Sequence, residues 1–143
     1  AVIDKYLPLN DFFIPFNGNS LRDYIDECIK TSEKVVNSIV NSNNNFVPLN
    51  HMALLIDAFR HYPKYAEDKE KLIVDDINSI EKIIQNAIDK KEIRSDINVK
   101  SMAMNFTSIN TGVAASLMIN KSPQEALKSL RNQFYELYNI LKL

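Results

Sequence analysis

Gly18 and Gly112 are the only two glycines in this 143-residue chain. Tight turns, hairpins and β-bulges rely on glycine because it enters positive-φ backbone without steric penalty, so a chain this poor in it can make few of them. Helices have no such need, and the scarcity points to an all-α fold. It also removes the phosphate-cradling loops, since neither GxGxxG nor GxxxxGK[ST] can be written with these two positions. Hydrophobic residues at 45% and charged residues at 24% are the proportions of an ordinary globular domain. A chain of this length buries about 68–70% of its unfolded surface in one domain.

Seventeen Lys plus Arg against 18 Asp plus Glu leave a net charge of −1, which gives these residues no electrostatic footprint for gripping a phosphate backbone. Cys28 stands alone and can form neither an internal disulfide nor half of a zinc site, as expected of a reducing compartment. No apolar run reaches the roughly 18 residues of a membrane helix, and no basic-then-apolar leader opens the chain. A cytoplasmic protein without membrane contact is the expectation.

Hydrophobic spacing places five helices. Residues 1–17 mix Pro8 and Pro15 with Tyr6, Leu7, Phe12, Phe13, Ile14 and Phe16, which predicts an irregular lead-in packed on a body spanning 18–143. After Asn19 or Ser20, both good N-caps, Leu21, Tyr24, Ile25, Cys28, Ile29, Val35, Val36, Ile39 and Val40 recur at helical period until an asparagine-rich stretch at 41–45. Pro48 opens a short helix with Leu49, Met52, Ala53, Leu55, Ile56 and Phe59, closing near Tyr62-Pro63. The longest amphipathic helix is predicted over 65–91, with Leu72, Ile73, Ile77, Ile80, Ile84, Ala87 and Ile88 on one face. Asn98 caps a fourth helix carrying Met102, Phe106, Ile109, Val113 and Leu117. Ser122-Pro123-Gln124-Glu125 is a capping box that starts the last. There Leu127, Leu130, Phe134, Leu137 and Leu141 step by three and four, the seam of a helix lying along another. The sum is an antiparallel bundle of about five helices.

One stretch is more specific than its periodicity. Ile83-Ile84-Gln85-Asn86-Ala87-Ile88-Asp89-Lys90-Lys91-Glu92-Ile93-Arg94-Ser95-Asp96-Ile97-Asn98 resembles the end of a long helix, the turn (Gly-Glu-(Leu/Ile)-Arg-x-Asp) and the next helix start of TetR-family (tetracycline-repressor-like) transcription regulators. Asn110-Thr111-Gly112-Val113-Ala114-Ala115 is similar to the family's alanine-rich segment, and Phe59-Arg60-His61-Tyr62-Pro63-Lys64-Tyr65 to its short helix ending at proline. Residues 49–143 together resemble the family's C-terminal half. Lys91 stands where the family has glycine, so the turn is made by a lysine in a strained conformation, by Asp89 or Lys90 earlier, or by a different helix ending. The family's N-terminal helix-turn-helix domain, the part that reads DNA, is not among these residues. The resemblance therefore implies a bacterial repressor's effector-binding and dimerisation half, with DNA engaged only through an absent domain.

In such regulators a small apolar or amphipathic effector enters between the first four helices. Tyr24, Cys28, His51, Met52, Leu55, Phe59, Ile77, Met102, Phe106 and Asn110 fall on faces that could reach that interior, with core packing the competing use of each. Small residues on the fourth helix and more apolar surface around the last than one stripe needs favour a homodimer through these two helices, with Gly112, Val113, Ser116, Leu127, Leu130, Phe134, Leu137, Tyr138 and Leu141 as the candidates and packing on their own bundle as the alternative. No metal or cofactor is expected: His51 and His61 fit no ligand spacing, and Cys-pair patterns are absent. No enzyme is expected either, because Cys28 has no histidine near it in sequence and no serine sits in a GxSxG elbow. The rival is a helical protein-interaction module, an adaptor or chaperone-like bundle, without a small ligand.

Overall fold

The computed structural model describes residues 16, 18, 20–41, 48–119 and 122–143, with the side chains of residues 39, 48, 49, 51 and 117–119 outside that description. The expected lead-in, apart from Phe16, falls outside the described residues. Among those described the chain is an all-α helical bundle: α1 (Leu21–Asn41), α2 (Pro48–His61), α3 (Pro63–Asp89), α4 (Val99–Ile119) and α5 (Pro123–Leu141).

The helix starts follow local chemistry. Ser20 Oγ accepts from the Asp23 N–H at 3.0 Å, Asn98 Oδ1 from Ser101 at 2.8 Å and Ser122 Oγ from Glu125 at 3.3 Å, so each satisfies an orphan donor of a first turn. α3 begins at Pro63 rather than at residue 65, because the Tyr62 carbonyl already accepts from Tyr65 at 2.9 Å and proline suits a first helical position. It ends at Asp89 rather than at 91. Lys91 takes a φ of 58°, the left-handed conformation for which glycine is the usual occupant. Its N–H donates to Ile88 C=O and that of Glu92 to Ala87 C=O, both at 2.9 Å, the paired closure of a helix end. Of the three ways the turn could be made, the strained lysine is the one found.

α4 is the central helix, packed against α2, α3 and α5, while α1 lies along α5 and touches α3. An aromatic row runs through the middle. Phe16 meets Tyr24 at 5.5 Å between centroids, Tyr24 meets Phe106 at 6.2 Å, and Phe106 meets Phe134 at 5.5 Å. Phe106 and Phe134 are both fully buried. Each such side chain contributes about 1.5–3 kcal/mol by leaving water, and an aromatic pair about 0.5–1.5 kcal/mol more. Leu21, Ile25 and Ile29 of α1, Ile80, Ile84 and Ala87 of α3, Ala103 of α4, and Leu130 and Leu141 of α5 complete this core. The i, i+3, i+4 spacing of these sets is what makes one face of each helix available to it. Ala58 and Tyr65, with Leu54 and Leu55, form a smaller cluster that holds α2 to α3.

Candidate functional site

The turn at 91–96 joins three helix ends. The Glu92 carboxylate accepts the backbone N–H of Leu21 and of Arg22, each at 3.0 Å, and the Tyr138 hydroxyl at 3.2 Å. Ile93, 1% exposed, is inserted into the main core. Ile93 also forms an isolated bridge with Lys142, the Arg94 N–H donates to Leu141 C=O at 2.9 Å, and the Leu143 N–H to Glu92 C=O at 3.1 Å. Arg94 grips Asp96 through two 2.6 Å bonds, which hold the Asp96 carboxyl at a pKa of about 2. Nearby, Arg22 lies 4.5 Å over the Tyr135 ring, and the Tyr135 hydroxyl donates to Asp26 at 2.7 Å. The N-terminus of α1, the C-terminus of α3 and the end of α5 are therefore one joint.

Below that joint, polar groups gather where α1, α3 and α4 face one another. Tyr24 and Cys28 stand one turn apart on α1, and both feel the charge of Asp76 on α3. Burial pushes the Tyr24 hydroxyl well above its ordinary value and the Cys28 thiol up to about 11. Asp76 is half-buried, and the loss of water raises its pKa, opposed only by the Thr107 hydroxyl. That hydroxyl, on α4, stands 3.5 Å from Asp76 Oδ2 and 3.4 Å from Ala103 C=O. One proton serves one acceptor at a time, so the carboxylate keeps open lone pairs.

The residues expected to line an effector pocket separate into two groups. Tyr24 and Phe106 are in the main core, with Cys28, Ile77 and Met102 packed against it half-buried. Leu55 belongs to the small α2–α3 cluster instead, and Phe59, 42% exposed, has its ring 5.4 Å from Tyr65. Met52 on α2 and Asn110 on α4 are half-buried, and the His51 side chain lies outside the described residues. Sequence reasoning missed Asp76, which its neighbour Asp75 masks as one of an unremarkable acidic pair, and Glu92 as a partner of α1. A carboxylate placed between apolar positions Ile73 and Ile77 is the one signal that could have pointed to Asp76.

On the other side of α4 an open groove of about 400 Å³ runs between α4 and α5, lined by Asn105, Ser108, Ile109, Gly112, Val113, Ser116, Gln133 and Leu137. A Cβ built on Gly112 would meet nothing within 4 Å. Of the residues expected at a dimer interface, Gly112 and Ser116 are exposed here, and Val113 and Leu137 half-buried beside them. Leu130, Phe134 and Leu141 are 3%, 0% and 1% exposed, so their contact area is used within their own chain. Leu127 and Tyr138 are half-buried. The step of three and four along α5 marks its inner stripe, and the outward surface is the row adjacent to it.

Among the described residues no group of three or more His, Cys, Asp or Glu could hold a metal ion, and no helix is long and apolar enough to cross a membrane. Comparison with family models, with curated proteins and with solved structures returns no match.

Proposed function

We propose that this chain is the effector-binding and dimerisation half of a TetR-like transcription regulator. The joint at 91–96 supports it most: the residues that carry the resemblance are those that tie the start of α1 to the ends of α3 and α5 through Glu92. In the proposed mechanism a small molecule enters beside Tyr24, Cys28, Asp76 and Thr107, between α1 and the α3–α4 pair. It displaces α1, the helix nearest to a DNA-reading domain that would precede it. A twin subunit packs on the α4–α5 groove, so that a tilt of α1 in each copy changes the separation of two reading heads, which must match half-sites about 34–36 Å apart. The ligand acts by preferring one of the two shapes, and reversing a 1:99 population takes about 10⁴-fold preference.

Native mass spectrometry of the purified chain is the test. The expected result is a particle of twice the 16.4 kDa chain mass, which takes up or retains a small molecule. A particle of single-chain mass that no small molecule binds or stabilises would sink the proposal and favour the helical interaction module.

A further inference from the structure

We infer that seating of a twin subunit on the α4–α5 groove and anchorage of the start of α1 are linked, with Tyr135 and Tyr138 of α5 as the connection. This inference rests on the dimer reading of the groove and names how that interface is felt at α1. α5 has two polar sides around its buried stripe. Gln133 and Leu137 line the open groove with α4, where the twin would press. Further round the helix Tyr135 and Tyr138, both half-buried against the main core, meet α1. The Tyr138 hydroxyl donates to Glu92 Oε1 at 3.2 Å, and that same oxygen accepts the Arg22 backbone N–H. The Tyr135 hydroxyl donates to Asp26 Oδ1 at 2.7 Å, which also accepts from the Arg22 guanidinium at 3.3 Å. Arg22 closes the set, 4.5 Å over the Tyr135 ring and 5.7 Å from that of Tyr138. Exposed and half-buried bonds of this kind compete with water, so their persistence depends on how firmly both ends are held. A twin packed on Gln133 and Leu137 restricts α5, and the two hydroxyls then give up less freedom in staying bonded to Glu92 and Asp26. Association thus tightens the start of α1, and by reciprocity a displaced α1 weakens association.

The experiment is amide hydrogen exchange on the whole chain, followed residue by residue, with light scattering on the same samples. The native two-chain particle is compared with Gly112→Leu, whose added side chain occupies the groove, and with the native chain diluted until its mass halves. Exchange at Leu21, Arg22 and Asp23 is expected to be about fivefold or more slower in the two-chain particle, with α2 unchanged. In Tyr135→Phe/Tyr138→Phe, which keeps both rings and removes both hydroxyls, that difference should shrink to within about twofold. A slowing that survives in this variant would mean that the twin covers α1 directly, and overturns the linkage. Equal exchange in the two-chain and single-chain particles overturns the linkage and leaves the dimer standing. A native chain of single mass at every concentration removes the dimer and the linkage together. A Gly112→Leu particle of double mass places the interface elsewhere and overturns a linkage through this groove. The native dilution series decides the matter even if a variant does not fold.

Discussion

Glu92 Oε2 lies 3.0 Å from the backbone N–H of Leu21, a residue 71 positions earlier, and Oε1 the same distance from that of Arg22. A glutamate thus caps a helix to which it does not belong. The first-turn amides of α1 need acceptors, and the helix dipole favours a negative charge at that end. Ser20 supplies one acceptor from within the chain's own approach to α1; the other two donors are met from the α3–α4 turn.

Glu92→Ala should therefore lower stability by about 1–2 kcal/mol, the range for loss of a cap. Urea unfolding followed by circular dichroism measures it. The loss should be accompanied by faster amide exchange in the first turn of α1 and not in α2. Uniform exchange through both helices would mean that Glu92 holds the fold generally and not that helix end.

Lys91→Gly should stabilise the chain. The left-handed conformation costs a side-chain-bearing residue about 1–2 kcal/mol, and glycine returns part of that as backbone entropy, leaving a gain on the order of 0.5–1 kcal/mol. Lys91→Val should go the other way, because a β-branched residue is least able to take a φ of 58°. Equal midpoints for the glycine and valine variants in urea would contradict the strain at this turn.

Gly112→Leu separates association from folding. The added side chain has open space on its own chain, with nothing within 4 Å of its Cβ, and replacing glycine in a helix is worth up to about 1 kcal/mol. If the proposed dimer forms on this groove, the variant should stay helical by circular dichroism while its light-scattering mass falls from two chains to one. Phe134→Ala, by contrast, should cost about 3–5 kcal/mol, since the ring is wholly inside. A Gly112→Leu variant that keeps the double mass would place any interface elsewhere.

Asp76→Asn tests the half-buried carboxylate through pH. Its folded-state pKa is raised, so the folded form holds its proton more tightly than the unfolded form. Stability then declines as the pH rises from the ordinary aspartate value of 3.8 through the raised one, and the full penalty is present above it. Asp76→Asn should melt higher than the parent at pH 7, and the difference should vanish as the pH falls below 3.8. A difference unchanged between pH 7 and pH 3.5 would show that ionisation of Asp76 is not its source.

Cys28 should resist alkylation. Raising the thiol from 9.0 to about 11 leaves about a hundredfold fewer thiolates at neutral pH, and the thiolate is the nucleophile. Iodoacetamide at pH 8 should modify the folded chain far more slowly than the urea-unfolded chain. Equal rates would mean that the sulfur is not withdrawn from water in the folded chain.

Helix order was legible because each signal is local. Ser20, Asn98 and Ser122 act on amides three residues away, Pro123 on its own φ, and Leu21, Tyr24, Ile25 and Ile29 share a face by geometry alone. The ending at Lys91 was legible only as a choice among three turns, since lysine has no preference that names one. The site was less legible. The same spacing that marks Phe106 and Tyr24 as inward-facing cannot say whether they line a space or fill it against each other and Phe134. On α5 the strongest apolar stripe, Leu130, Phe134 and Leu141, belongs to the chain's own core, and the open groove joins Ile109, Val113 and Leu137, which periodicity marks, to Asn105, Ser108, Gly112, Ser116 and Gln133, which it passes over.

The amino-acid order determined that the chain is all-α, where α1, α4 and α5 start, and which stripe of α1 and α5 turns inward, because caps, proline and the 3.6-residue period act over a few residues; it left α3 starting two residues late and counted Ile56, Phe59 and Ile73 among apolar faces on which they are exposed. Only the tertiary structure decided that Glu92 holds the start of α1, that Asp76, Tyr24, Cys28 and Thr107 share one place, and that the groove opens beside Gly112. Those relations join residues up to 71 positions apart, and they exist only once helix packing has set the distances between faces that no local preference connects.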